Sequence, residues 1–262
     1  MLESVSRTRG AQCAAGGDAN ASQNAPLGAA LGDDETLMFV HIPKCAGSSF
    51  RAVLKRWYGR DHISIDSHDP ADLMRRLAGR EAPPRAISGH FSFGIHEGTV
   101  SKPCYVSLVR DPVERMASLY KHARATPDHS MHAAAASLDM AGFYDLTLDE
   151  PRARRWTVGV QCYFLARRRT FDATRPIIEA NYRLLAPTEA FGQFIDETAR
   201  LAGQAADEAP ERNRRPSPPD LAEAIAALEP RIRSDHGEDQ LLYEQVRDAF
   251  GRAAEGRTRA GA

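Results

Sequence analysis

The segment that most restricts the fold is LMFVHIPKCAGSSFRAVLKRW, Leu37 to Trp57. It opens as a short, nearly continuous apolar run, as expected of a strand covered on both faces. Phe50, Val53, Leu54 and Trp57 then recur at i, i+3, i+4 and i+7, one apolar stripe of a helix. Between them, Gly47 lets the backbone turn and approach an anion closely. Ser48 and Ser49 offer hydroxyls and N–H groups at a helix N-terminus, where the dipole favours negative charge. Lys44 adds a point charge at the mouth of the loop. Such a segment is either an anion cradle or only a tight turn. The nucleotide pattern G-x-x-x-x-G-K-[ST] is absent, because here the lysine precedes the glycine. No acidic residue ends an obvious partner strand, since VSLVR closes on Arg110. The loop therefore suits an anion handled without Mg²⁺.

A second strand-to-helix unit follows in CYVSLVRDPVERMASLYKHA. Cys104–Val109 reads as the strand. Asp111 suits the N-cap, Pro112 the first helical position, and Glu114 would complete a capping box. Further strands are expected at Arg85–Ser88 and in NYRLLAP. Helices are expected in PADLMRRL and TEAFGQFIDETARLAG, near Leu221–Leu228, and over Glu238–Arg252. RARRWTVGVQCYFLARRR reads as one helix burying Trp156, Val160 and Tyr163 or Phe164. The alternation predicts a P-loop NTPase-like three-layer α/β fold, with a central, mainly parallel sheet flanked by helices. Ligands of such sheets gather at the carboxyl ends of the strands. That puts HIPKCAGSS, GHFSFGIH and RDP on one rim. Residues 1–33 carry few large apolar side chains and read as a disordered tail. Residues 34–254 form the single domain, and 255–262 fray.

Net charge is −1, so no global field draws the chain to nucleic acid or acidic membranes, and an anion site must be local. The four cysteines, Cys13, Cys45, Cys104 and Cys162, form no CxxC pair and are expected reduced. No secretory core opens the chain, and no apolar run approaches the ~18 residues of a membrane span. A cytoplasmic protein is the expectation.

Arg110 ends a predicted strand, and Ser118 lies about two helical turns beyond it. The pair could converge on one phosphate, or Arg110 could simply pair with Asp111 or Glu114. Taken together, the two segments resemble a known family. HIPKCAGSSF is similar to the 5′-phosphosulfate loop of sulfotransferases, in the branch of the heparan-sulfate 2-O-sulfotransferases and their bacterial relatives. VRDPVERMASLY resembles the 3′-phosphate segment of that family, with Arg110, Asp111, Pro112, Arg115, Ser118 and Tyr120 at its fixed positions. The resemblance implies a PAPS (3′-phosphoadenosine 5′-phosphosulfate) donor and no metal. It implies that Lys44 meets the phosphosulfate bridge within the loop Cys45, Ala46, Gly47, Ser48 and Ser49, and that Arg110 and Ser118 hold the 3′-phosphate. Arg212 and Arg214, in a late basic loop, are secondary donor contacts.

Sulfuryl transfer to a hydroxyl needs a proton acceptor, and histidine suits that near neutral pH. His90, after Gly89 at a predicted strand end, is the first choice, and the resemblance supports it. The family carries another histidine two residues earlier, where this chain has Ser88. His96 is the reserve. His41 reads as orienting or packed, and His122, His129 and His132 as surface or part of a lid over residues 120–160. Cys45, beside Lys44 and a helix N-terminus, is expected to carry a lowered pKa. The expected activity is in-line sulfuryl transfer from PAPS to a hydroxyl of an acceptor, a glycan or glycolipid. A P-loop small-molecule kinase and a catalytically silent nucleotide-binding protein are the alternatives.

Overall fold

The computed structural model describes residues 30–206 and 217–260, with side chains to residue 256. The first strand, β1 (Thr36–Val40), is buried along its whole length, as its unbroken apolar run requires. It feeds α1 (Gly47–Tyr58), whose Phe50, Val53 and Leu54 are buried against the sheet. A single 3₁₀ turn leads to β2 (His62–Ser64). Then come α2 (Pro70–Leu77), β3 (Ala86–Gly89) and β4 (Pro103–Val109). The helix α3 (Pro112–Ala125) starts as its sequence dictates: Asp111 accepts from the N–H groups of Val113 and Glu114, with Pro112 in the first turn. Glu114 does not close the expected capping box, because its carboxylate pairs with Arg110 instead.

The region 126–181 is all helix and turn: α4 (His132–Ser137), α5 (Met140–Asp149), α6 (Pro151–Arg155), α7 (Val160–Ala166) and α8 (Phe171–Asn181). Here one expectation fails. RARRWTVGVQCYFLARRR is not one helix, because α6 ends at Arg155 and Gly159, at φ 61°, breaks the chain before α7. Trp156 consequently leaves the expected buried stripe and stands 46% exposed, while Phe164 is buried. The chain ends with β5 (Tyr182–Pro187), α9 (Phe191–Ala202), α10 (Leu221–Asp235) and α11 (Gly237–Ala260). The last helix runs past the expected boundary at Arg252.

All strand pairs are parallel, in the order β2-β3-β1-β4-β5. The chain starts in the middle, builds one side through β2 and β3, then crosses to β4 and β5. That reversal at β1 opens a crevice at the carboxyl ends of its neighbours, the place where such sheets bind ligands. The ends of β3, β1 and β4 lie side by side there. They are followed by His90, the loop 41–46 and Arg110, so the expected rim exists.

Two cores hold the fold. One packs the sheet against its flanking helices. The other is helical: Val113, Met116 and Tyr120 of α3 meet Met140, Phe143 and Tyr144 of α5 and Leu221 and Ile232 of α10. The helices above the rim thus rest on a core of their own.

Candidate active site

The loop between β1 and α1 turns through two left-handed residues, Lys44 at φ 69° and Ala46 at φ 59°. Alternation of this kind turns successive backbone N–H groups towards one side, a concavity suited to an anion. The N–H of Cys45 is spent on Ile42 O at 3.2 Å. Gly47, Ser48 and Ser49 open α1, whose first N–H groups have no intrahelical partners. Ser48 is exposed and Ser49 half-buried.

Gly47 is required by a neighbour rather than by its own backbone. A Cβ there would lie 1.9 Å from Cδ2 of His41. His41 is buried, and its ring stacks on His90 with centroids 4.0 Å apart. Desolvation, with the charges around it, pushes the His41 imidazole down to about 2, so it is neutral at any working pH.

His90 follows Gly89, where a Cβ would collide with Ile65 O at 1.6 Å and where φ is 155°. Its backbone N–H donates to Asp66 Oδ1 at 2.8 Å, and Asp66 also takes Arg51. Its Nδ1 lies 2.7 Å from His41 O. A carbonyl only accepts, so Nδ1 carries the hydrogen and Nε2 is left as the basic nitrogen. Burial lowers the His90 pKa below the ordinary histidine value, partly opposed by the His41 carbonyl and Asp66. His96 is placed otherwise: Nδ1 bonds the Tyr105 hydroxyl at 2.6 Å, beside the start of β4 and not at its carboxyl end. Ser88, where the family has a second histidine, is buried and meets His62 Nε2 at 2.7 Å. An imidazole from β2 therefore adjoins that position.

On the other flank, Arg110 reaches back over the loop, Nη1 to Lys44 O at 3.3 Å and Nη2 to Glu114 at 3.0 Å. The pairing with Glu114 expected as an alternative is thus present, but that carboxylate is exposed, and an anion can compete for the guanidinium. Arg110 Nε is buried with no partner among the described residues. Ser118 is half-buried along α3. Arg212 and Arg214 lie outside the described residues. Ser217, just beyond them, takes a hydrogen bond from Lys121, one turn past Ser118.

The Cys45 expectation is corrected. The side chain turns inward, 1% exposed, with its thiol on Gln161 Oε1 at 3.6 Å. Burial pushes its pKa up to about 12, outweighing the nearby arginines. Cys45 shapes the loop from beneath.

Three residues that the sequence reading passed over hold the site together. Gln161 bonds both the N–H and the C=O of Arg110, at 2.9 and 2.8 Å. Asp239 of α11 accepts from the N–H groups of Gln161 and Cys162, capping α7 from a distant element. Thr157 O takes Nη2 of Arg115, which is wholly buried and serves the fold rather than a ligand.

Residues 29–155 match the sequence profile of the sulfotransferase family. The chain is 32% identical over 117 residues to heparan sulfate 2-O-sulfotransferase 1 of Xenopus laevis, which is 38% of this chain and 33% of that protein. To the Pongo abelii protein of the same name it is 29% identical over 112 residues, 37% of this chain and 32% of that one. The chain spans about a third of the length of the curated relatives it matches. A sulfotransferase structure from Alicyclobacillus acidocaldarius aligns with 80% of this chain and 96% of its own, at 16% identity and a TM-score of 0.47. Among the described residues, no helix is long and apolar enough to cross a membrane.

Proposed function

We propose that the protein transfers a sulfuryl group from PAPS to a hydroxyl of an acceptor, a glycan or glycolipid, by in-line displacement with His90 as base. The observation that carries this reading is the state of His90. Its Nδ1–H is fixed on His41 O, and the same His41 ring is pressed on Gly47 of the anion loop. Base and loop are thereby held in one rigid arrangement. The residues fit the donor: a loop with left-handed residues at Lys44 and Ala46 and the first N–H groups of α1 for one phosphate, and the buried Nε of Arg110, unpartnered among the described residues, for another.

When bound, such a donor supplies an activated sulfuryl group. Lys44 and the loop Ala46–Ser49 would hold its 5′-phosphosulfate end, with Cys45 supporting that loop from beneath, and Arg110 and Ser118 would hold its 3′-phosphate. Arg212 and Arg214 are further candidates for that phosphate. His90 Nε2 takes the proton of the acceptor hydroxyl, and Lys44 balances charge that gathers on the phosphate side. Preset positioning and electrostatics supply most of the acceleration in such sites.

Thermal shift tests the donor. Adenosine 3′,5′-bisphosphate at ~100 times its dissociation constant should stabilise the fold by about 2.7 kcal/mol. A preference for Mg-ATP would favour a kinase instead. His90→Ala should keep that binding while kcat drops about 10²- to 10⁴-fold. An equally active variant would remove His90 from the chemistry. The lowered pKa means that activity should be lost only as pH falls below the ordinary histidine range.

A further inference from the structure

Trp156 is one of three large apolar side chains that stand exposed among the described residues, the others being Met74 and Leu241. A single exposed apolar residue needs no explanation in general. Three observations set this one apart. The first is its company. His68 lies between the rings of Trp156 and Tyr163, 5.8 Å from each, with Phe164 buried beneath. Arg169 is stacked over Tyr163 at 4.9 Å, and its guanidinium is pinned to Val158 O and Arg155 O. The result is a fixed aromatic shelf.

The second is its place. Arg167 donates Nε to Ser92 Oγ at 3.0 Å and Nη2 to His68 O at 2.8 Å. Phe93 N bonds Phe164 O at 2.8 Å. Ser92 and Phe93 immediately follow His90 and Phe91, and Asp66, two before His68, holds the His90 backbone. The shelf is therefore tied from both sides to the loop that carries the base. The third is charge. The stretch from Pro151 to Thr170 holds Arg152, Arg154, Arg155, Arg167, Arg168 and Arg169 and no aspartate or glutamate. Arg152, Arg155 and Arg168 are exposed.

We propose that Trp156, on the His68–Tyr163 shelf, is an acceptor subsite that stacks a pyranose ring of an anionic glycan next to His90. A pyranose has one face made of C–H groups, which suits an indole face, while its carboxylate or sulfate meets the flanking arginines. The proposal rests on the sulfotransferase reading for its consequence, but the subsite can be read without turnover.

The test uses the full chain with Trp57→Phe, which leaves Trp156 as the reporting indole. Three probes are titrated: a hexasaccharide of alternating glucuronic acid and N-acetylglucosamine, maltohexaose, and a short oligothymidylate. A saturable change in emission with loss of iodide quenching is expected for the anionic saccharide alone. An equal response to maltohexaose overturns the anionic assignment. A response to the oligonucleotide but not to the saccharide overturns the glycan. No response to any probe overturns the subsite. In turnover assays Trp156→Ala should raise acceptor KM about tenfold, the loss of one good stacking contact, and Trp156→Phe should recover most of it. An unchanged acceptor KM in Trp156→Ala also overturns the subsite. Adenosine 3′,5′-bisphosphate binding should be the same in both variants. A wild-type chain that binds no adenosine 3′,5′-bisphosphate sinks the sulfotransferase reading, whereas the fluorescence titration reports on the shelf in either case.

Discussion

Gly47→Ala separates the role of this loop in the fold from its role in the site. Alanine ordinarily gains about 1 kcal/mol over glycine inside a helix, and Gly47 opens α1. Here the new methyl would lie 1.9 Å from Cδ2 and 2.4 Å from Cγ and Nε2 of His41. His41 cannot swing away, since it is 5% exposed and lies between Phe39 and His90. Overpacking of this kind costs about 1–3 kcal/mol. The net loss should therefore fall between zero and about 2 kcal/mol, or a few degrees in Tm for a domain of this size. The effect on activity should be larger, because a shift of about 1 Å at reacting groups can cost about 10²-fold. Moving the His41 ring breaks its stack on His90 and disturbs the carbonyl that fixes Nδ1. Adding His41→Ala to Gly47→Ala makes room for the methyl, so the two changes should be non-additive by at least about 0.5 kcal/mol. Urea unfolding of the four proteins, with the His90 imidazole followed by NMR, measures both parts. A Gly47→Ala protein of wild-type stability or better, with an unshifted His90 resonance, refutes the contact.

Stability should fall with acid through His41 and His236, both buried and held down to about 2 and about 3. Unfolding restores their ordinary pKa near 6.5, so their contribution is full above that pH. Below it, each histidine costs about 1.4 kcal/mol per pH unit, until the folded values are reached. Urea midpoints at pH 7 and pH 5 check this, and a higher midpoint at pH 5 contradicts it. Cys45, Cys104 and Cys162 are buried with raised pKa values. A Cys13→Ser variant should be inert to a thiol reagent until denatured, and rapid native labelling of Cys45 would count against the inward thiol. Arg115→Ala should cost about 3–5 kcal/mol, because it removes a wholly buried side chain and with it the positive charge that opposes the desolvation of the buried Asp239. A loss below about 1 kcal/mol would show that the cation is not needed.

The sheet was legible where apolar runs were long and bounded. The strands β1, β3, β4 and β5 read directly, as did the Asp111–Pro112 start of α3. The three-residue β2, His-Ile-Ser, has no run to detect and exists only by pairing with β3. The helix α8 carries Pro176 and follows three arginines, so its stripe is weak in sequence. The 152–169 stretch misled for a definite reason. Helical spacing places Trp156 and Val160 on one face only if the helix continues, and Gly159 ends that continuity.

The rim residues were legible because each stands at a strand end, a position fixed by topology. What their side chains do there was not. For Cys45, local reasoning names the right influences, a lysine and a helix N-terminus, and gets the sign wrong. Both act only on a thiol that faces them. The left-handed turns at Lys44 and Ala46 instead bury the side chain beneath the loop, where desolvation prevails over Arg110 and Arg115. His41 is the same lesson with the opposite result. In sequence it is one histidine among nine, yet its ring fills the space that Gly47 leaves and its carbonyl sets the tautomer of His90. The proposed base and the proposed anion loop follow two different strands and are joined through that one side chain, which is why the glycine and the histidine must be read as a pair.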